Sequence, residues 1–184
     1  MLKGKILFFK EFLKDKNVAS VIPTSRFCIN YICSRINFSG QKIIVEYGPG
    51  NGVFSKALLK KMGSDSRLVL IETNKDFCES LLEINDSRVK VFLRGAEDII
   101  DILKEEGIES VDYIISGIPF SYINIETRKK IIDDSWESLR PKGKMLIYQA
   151  RGIMGKYLLG KFIEVKTCLK ILNIPPLFIF EAKK

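Results

Sequence analysis

Short apolar runs rich in β-branched and aromatic residues recur along this chain, separated by segments whose apolar positions repeat every three or four residues. Residues 42–47, 67–72, 88–92, 111–116 and 144–149 read as strands, each bounded by turn residues. Residues 53–62, 75–84, 96–105 and 125–139 read as helices, and Pro141-Lys142-Gly143 closes the last of them. Alternation of this kind predicts a mostly parallel sheet with helices on both faces, because parallel neighbours need a crossover between them. Beyond Gly160, residues 162–171 and 177–182 read as two more strands joined by a turn at Asn173-Ile174-Pro175-Pro176. They form an antiparallel pair at one edge. The expected fold is α/β: a single Rossmann-like, seven-stranded, mostly parallel sheet, with residues 1–36 forming an amphipathic helix and a cap helix ahead of the main domain, 37–184.

A chain of 184 residues with 46% hydrophobic content can bury one sizeable core. Its formal charge of +8 is unevenly placed: residues 1–35 and 151–184 each carry +5, and the middle carries −2. Both ends therefore suit an anionic partner, either a membrane surface or a nucleic acid. On a helical wheel Leu2, Ile6, Phe8, Phe9, Phe12 and Leu13 fall on one side, with Lys3, Lys10, Glu11, Lys14 and Asp15 on the other. Such a helix can lie flat on an anionic bilayer. The apolar run 6–9 is too short for a signal-peptide core or a membrane span, so the expected location is cytoplasmic, peripheral on the inner face of the membrane. Cys28, Cys33, Cys78 and Cys168 lack metal-ligand spacing and read as reduced, structural residues. The chain has no histidine, which removes the commonest general base and metal ligand, and no metal site is expected.

Candidate chemistry gathers at the carboxyl ends of the strands, where open parallel sheets bind ligands. The first strand runs into Glu46-Tyr47-Gly48-Pro49-Gly50-Asn51-Gly52 and then a helix, a turn suited to a nucleoside. A dinucleotide loop would carry a further glycine where this chain has Phe54 and Ser55. Glu46 would repel a pyrophosphate but suits the ammonium of an amino-acid moiety. At the end of the second strand Glu72, twenty residues past Gly52, can take both hydroxyls of a ribose. After the third strand, Arg94-Gly95-Ala96-Glu97-Asp98 offers a backbone N–H and a carboxylate to an adenine edge. After the fourth stands Ser116-Gly117-Ile118-Pro119-Phe120.

The glycine loop resembles motif I of the class I S-adenosylmethionine-dependent methyltransferases. That resemblance implies S-adenosylmethionine as cofactor, held by Glu46, Gly48, Gly50, Gly52, Glu72, Ala96, Glu97 and Ser116. It also implies a methyl-acceptor site at Gly117, Pro119, Phe120 and Tyr122. The family usually has an aspartate before the alanine where this chain has Gly95, leaving Glu97 or Asp98 to take over. Adenine N6 methyltransferases carry an asparagine or aspartate at the position of Gly117, so a side-chain acceptor for an adenine amino group is missing here. Ser-Gly-Ile-Pro-Phe instead resembles the bacterial phospholipid N-methyltransferases. The likeness extends to residues 18–26, Ile71-Glu72 and Asn173-Ile174-Pro175-Pro176.

The expected activity is methylation of the amine headgroup of a phospholipid such as phosphatidylethanolamine, at an anionic membrane surface contacted by the N-terminal helix. Two alternatives stand beside it: an rRNA adenine N6-methyltransferase, with RNA the less favoured partner, and a soluble small-amine N-methyltransferase. In the expected reaction a neutral amine displaces the sulfonium methyl. Without histidine, the amine proton leaves through water, a backbone carbonyl or Tyr122, which is better suited to be a wall than a base. Phe120 would face the amine, its ring favouring the positive charge that methylation leaves.

Overall fold

The computed structural model describes residues 25–171, 173 and 175–184; the amphipathic helix expected near the start lies outside the described residues. In chain order the elements are α1 (Arg26–Cys33), β1 (Ile43–Tyr47), α2 (Val53–Leu59), β2 (Arg67–Glu72), α3 (Lys75–Leu82), β3 (Val89–Leu93), α4 (Ile99–Glu105), β4 (Val111–Ser116), α5 (Ile125–Ser138), β5 (Leu139–Gln149), α6 (Gly155–Leu159), β6 (Glu164–Lys170) and β7 (Leu177–Lys183). Single 3₁₀ turns follow β3, β4 and β5. The sheet order is β3-β2-β1-β4-β5-β7-β6. β1 to β5 are parallel, β7 is antiparallel to β5, and β6 is antiparallel to β7. The seven strands and the antiparallel edge pair match the expectation. Strand order reverses between β1 and β4, which opens a crevice above their carboxyl ends.

The central strands are apolar on both faces because helices cover both. One face packs Val45, Tyr47, Ile114 and Ile147 against α4, α5 and α6. The other packs Ile44, Leu68, Ile115 and Leu146 against α1, α2 and α3. Side-chain caps start three of these helices: Ser25 for α1, Asn74 for α3 and Asn124 for α5. Cys28, Cys33 and Cys78 are buried free thiols, and burial pushes the Cys28 thiol up to about 12, as suits an inert packing residue.

Two boundaries differ from expectation. Pro141-Lys142-Gly143 lies inside β5 and does not close a helix; α5 has already ended at Ser138. Pairing slips there, from Val111 opposite Leu139 to Tyr113 opposite Lys144, and Lys142 takes a left-handed φ of 67°. This is a bulge: a proline cannot donate to the ladder, so the chain loops out and rejoins it. The helix expected over 96–105 begins as a 3₁₀ turn at Ala96–Asp98 and becomes α-helical from Ile99.

Candidate functional site

The first wall of the crevice is the loop from β1 to α2. Gly48 stands at φ 65°, and a Cβ there would meet Ile118 Cγ2 at 2.7 Å, so this glycine lets two strand-end loops touch. Gly50 also has positive φ, but a Cβ would find nothing within 4 Å. Its side faces open space, and its N–H donates to Glu72 Oε2 at 3.1 Å. Gly52 serves packing: a Cβ would strike Leu81 Cδ2 at 2.9 Å, so its role is to seat α3 against the loop.

Glu72 is buried at the end of β2, where Oε1 accepts the N–H groups of Thr73 and Asn74 at 2.8 and 2.9 Å. With Gly50 these make three backbone donors. An ionised carboxylate accepts about four hydrogen bonds, so capacity remains toward the cavity that Glu72 lines. Glu46 is fully buried one strand away. Ser55 Oγ of α2 donates to its Oε2 at 2.7 Å, while Oε1 has no partner among the described residues. Burial pushes the Glu46 carboxyl up to about 7, opposed by the Ser55 hydrogen bond and reinforced by the charge of Glu72. An unpaired, buried oxygen on a reluctant carboxylate is an environment that a cation would relieve.

These loops enclose a cavity of about 530 Å³ lined by Gly48, Glu72, Ala96, Glu97, Ile118 and Pro119, with Ile123, Thr127 and Ile131 closing the α5 side. Glu97 bears on the departure at Gly95: a Cβ at Gly95 would fall on the Glu97 carboxylate. The missing aspartate leaves room that Glu97 fills. Glu97 is further fixed by Lys130, whose ammonium donates to its carbonyl.

The segment after β4 departs most from expectation. Ser116 is buried, its Oγ unpartnered among the described residues. The N–H of Gly117 donates to Tyr47 O at 3.0 Å, and a Cβ on Gly117 would lie 2.5 Å from Tyr148 Oη and 2.8 Å from its Cζ. Tyr148 is itself held by stacking on Phe54, with centroids 5.8 Å apart. Phe120 does not face the cavity: its ring is fully buried in the core under α4 to α6. Tyr122 is not a cavity wall either. It is 56% exposed, with the Arg151 guanidinium 5.7 Å from its ring centre. Both corrections share one cause, the buried side chain of Arg128. Its guanidinium donates to Phe120 O, Ile123 O and Tyr157 Oη at 3.0, 2.8 and 2.8 Å, pinning the turn with Phe120 inward and Tyr122 outward. Sequence reading quoted Ile118 within the segment after β4 without giving it a role, and missed Ile123, Thr127, Arg128 and Ile131; for the last three the signal was an apolar and basic face on the helix that follows the motif.

Among the described residues no cluster of acidic, cysteine or histidine side chains could hold a metal, and no helix is long and apolar enough to cross a membrane.

Residues 2–109 match the model of a family described as ribosomal RNA adenine dimethylase. An ornithine lipid N-methyltransferase of Singulisphaera acidiphila is 26% identical over 179 residues, covering 95% of this chain and 93% of that protein. A ribosomal RNA small subunit methyltransferase A of Mycoplasma capricolum subsp. capricolum is 28% identical over 139 residues. That match covers 73% of this chain, which spans only 46% of that protein. Among solved structures, the 16S rRNA N2 G1207 methyltransferase of T. thermophilus, crystallised with AdoMet and guanosine, superposes with a TM-score of 0.67 at 20% identity, over 89% of this chain and 43% of that one. At that identity the likeness is one of fold.

Proposed function

We propose, from the premise that this chain belongs to the ribosomal RNA adenine dimethylase family and is an S-adenosylmethionine-dependent methyltransferase, that its acceptor is the amine of a lipid headgroup. The carrying observation is at Gly117. Adenine N6 methyltransferases have a side-chain acceptor at that position, and here Tyr148 occupies the volume into which any such side chain would grow. The near-full-length relation to an ornithine lipid N-methyltransferase supports the same reading.

The residues present fit the cofactor. Glu72 offers a preorganised carboxylate to its ribose, and Ala96 and Glu97 a backbone and a side chain to its adenine, all from the cavity wall; Glu46 does not line the cavity, but its unsatisfied buried oxygen, one strand from Glu72, is the group that would meet the ammonium. Bound there, S-adenosylmethionine supplies an electrophilic methyl group. The chain's own contribution is to position and to desolvate. Ile118, Pro119, Ile123 and Ile131 present an apolar wall, which favours the neutral form of an amine. Only roughly one primary ammonium in a thousand is neutral at pH 7, so this shift matters. Holding the two reactants together supplies much of the remaining rate. With Tyr122 turned outward, the amine's proton leaves to water or to a backbone carbonyl.

Radiolabelled methyl transfer to extracted lipids tests the acceptor: label in phosphatidylethanolamine or an ornithine lipid is expected, and label in RNA alone overturns the reading. Calorimetric titration with S-adenosylmethionine tests the site. Gly50→Asp and Glu72→Ala should each abolish measurable binding, and retained binding would contradict the cofactor assignment.

A further inference from the structure

We infer that the tip of the molecule at the cavity end of the sheet, where α1 meets the β6–β7 turn, is a bilayer-docking surface for anionic membrane. Because β7 is antiparallel to β5 and β6 antiparallel to β7, β6 runs in the direction of β5. Its carboxyl end and the turn that follows therefore lie at the cavity end of the sheet. The start of α1 is tied to that turn: Ser25 N–H donates to Asn173 Oδ1 at 2.8 Å. Two segments far apart in sequence thus place Phe27 and Ile171 at this end of the molecule at 68% and 70% exposure, with Leu169, 48% exposed, on the other face of the sheet beside its partner Phe178. Large apolar side chains open to water around the tip of a fold suit a contact surface.

Charge selects the partner. Arg26 and Lys170 are the chain neighbours of Phe27 and Ile171, and Arg151 follows the carboxyl end of β5 at the same end of the sheet, beside Tyr122. None of the ion pairs among the described residues involves any of these three. Lys170 instead rests its ammonium 3.4 Å from the ring centre of Tyr31 on α1, which stiffens the junction. Aliphatic side chains interleaved with unneutralised cations match an anionic bilayer, with apolar groups entering the acyl boundary and cations meeting headgroups. A second copy of this chain would bring like charges together. RNA phosphates would use the cations and a base could stack on Phe27, but RNA would gain nothing from the aliphatic Leu169 and Ile171. The inference rests on the lipid-acceptor reading for its purpose, since a headgroup anchored by acyl chains reaches the cavity only if the mouth meets the membrane.

The test uses the full-length chain in co-sedimentation with phosphatidylglycerol–phosphatidylethanolamine vesicles, neutral phosphatidylcholine vesicles and a single-stranded RNA. Two double variants, Phe27→Ser/Ile171→Ser and Arg26→Gln/Lys170→Gln, touch none of the cavity residues. The apolar pair should weaken vesicle binding about tenfold or more at every salt concentration. The basic pair should weaken it about fivefold or more on anionic vesicles at low salt only. S-adenosylmethionine affinity and methylation of detergent-dispersed lipid should stay at the wild-type level in both, as should the melting temperature of the apolar pair, while the basic pair should melt only slightly lower for the loss of the Lys170–Tyr31 contact. Unchanged vesicle binding in the two variants would overturn the inference, as would a loss confined to RNA. If the variants lose vesicles but no lipid is ever labelled, the docking surface stands and the acceptor reading falls. If dispersed lipid is labelled while the variants still bind vesicles like wild type, the acceptor reading stands and the docking surface falls.

Discussion

Replacing Glu46 by glutamine changes how stability depends on pH, and the size of the change follows from its burial. The carboxyl is fully buried, with one oxygen bonded to Ser55 and the other unpartnered, and it is pushed from 4.5 up to about 7. Below the unfolded value both states hold the proton, so the ionisation costs nothing. Between about 4.5 and 7 the unfolded chain releases its proton while the folded chain keeps it, so stability falls as pH rises through this window. Above 7 the folded protein carries the full cost, about 3 kcal/mol at roughly 1.4 kcal/mol per pKa unit. The substituted amide does not titrate. Whatever constant penalty it brings, the difference in stability between variant and wild type should move by about 3 kcal/mol in the variant's favour from pH 4.5 to pH 8. For a chain of this size that is roughly 6–12 °C in the difference of melting temperatures. Differential scanning calorimetry in matched buffers reads it directly, helped by the absence of histidines that would titrate in the same range. With S-adenosylmethionine present, wild-type affinity should rise with pH across the window, because the ligand's cation favours the ionised carboxylate, and the variant's should stay flat. Parallel melting curves for the two proteins across this range would refute the reasoning, because Glu46 would then titrate in the fold as it does in the unfolded chain.

Two further glycine substitutions, each paired with a second change, separate backbone from packing. Gly48→Ala should cost roughly 1–2 kcal/mol for its left-handed backbone and about 1–3 kcal/mol more for the contact with Ile118. Adding Ile118→Leu, which removes the branch methyl 2.7 Å from the new Cβ, should restore only the second part in thermal melts, and no recovery would show that Ile118 is not the obstacle. Gly117→Ala drives a methyl into Tyr148 and should lower stability by about 1–3 kcal/mol. Tyr148→Phe in the same chain should recover part of this, since it removes the hydroxyl oxygen but keeps the ring carbon at 2.8 Å; a Gly117→Ala protein that melts like wild type would contradict this crowding.

Local pattern determined the alternation of strand and helix, the seven strands and the antiparallel edge, because strands covered on both faces must be apolar at nearly every position and their crossovers must carry a helical period. It also placed Glu46, the glycine loop and Glu72 at strand ends, since a parallel sheet puts those ends together whatever the details of packing. Contacts between residues far apart in sequence decided the rest. Leu81 and Ile84 crowd a side chain at Gly52 and Tyr148 crowds one at Gly117, while the space over Gly95 is filled by its near neighbour Glu97. The turn after β4 reads as an aromatic-bearing acceptor loop until Arg128, on the next helix, takes two of its carbonyls and turns Phe120 into the core. Periodicity reports which face of an element is buried; the direction a loop side chain takes depends on which distant donors satisfy its backbone, and that is set only when the chain has folded.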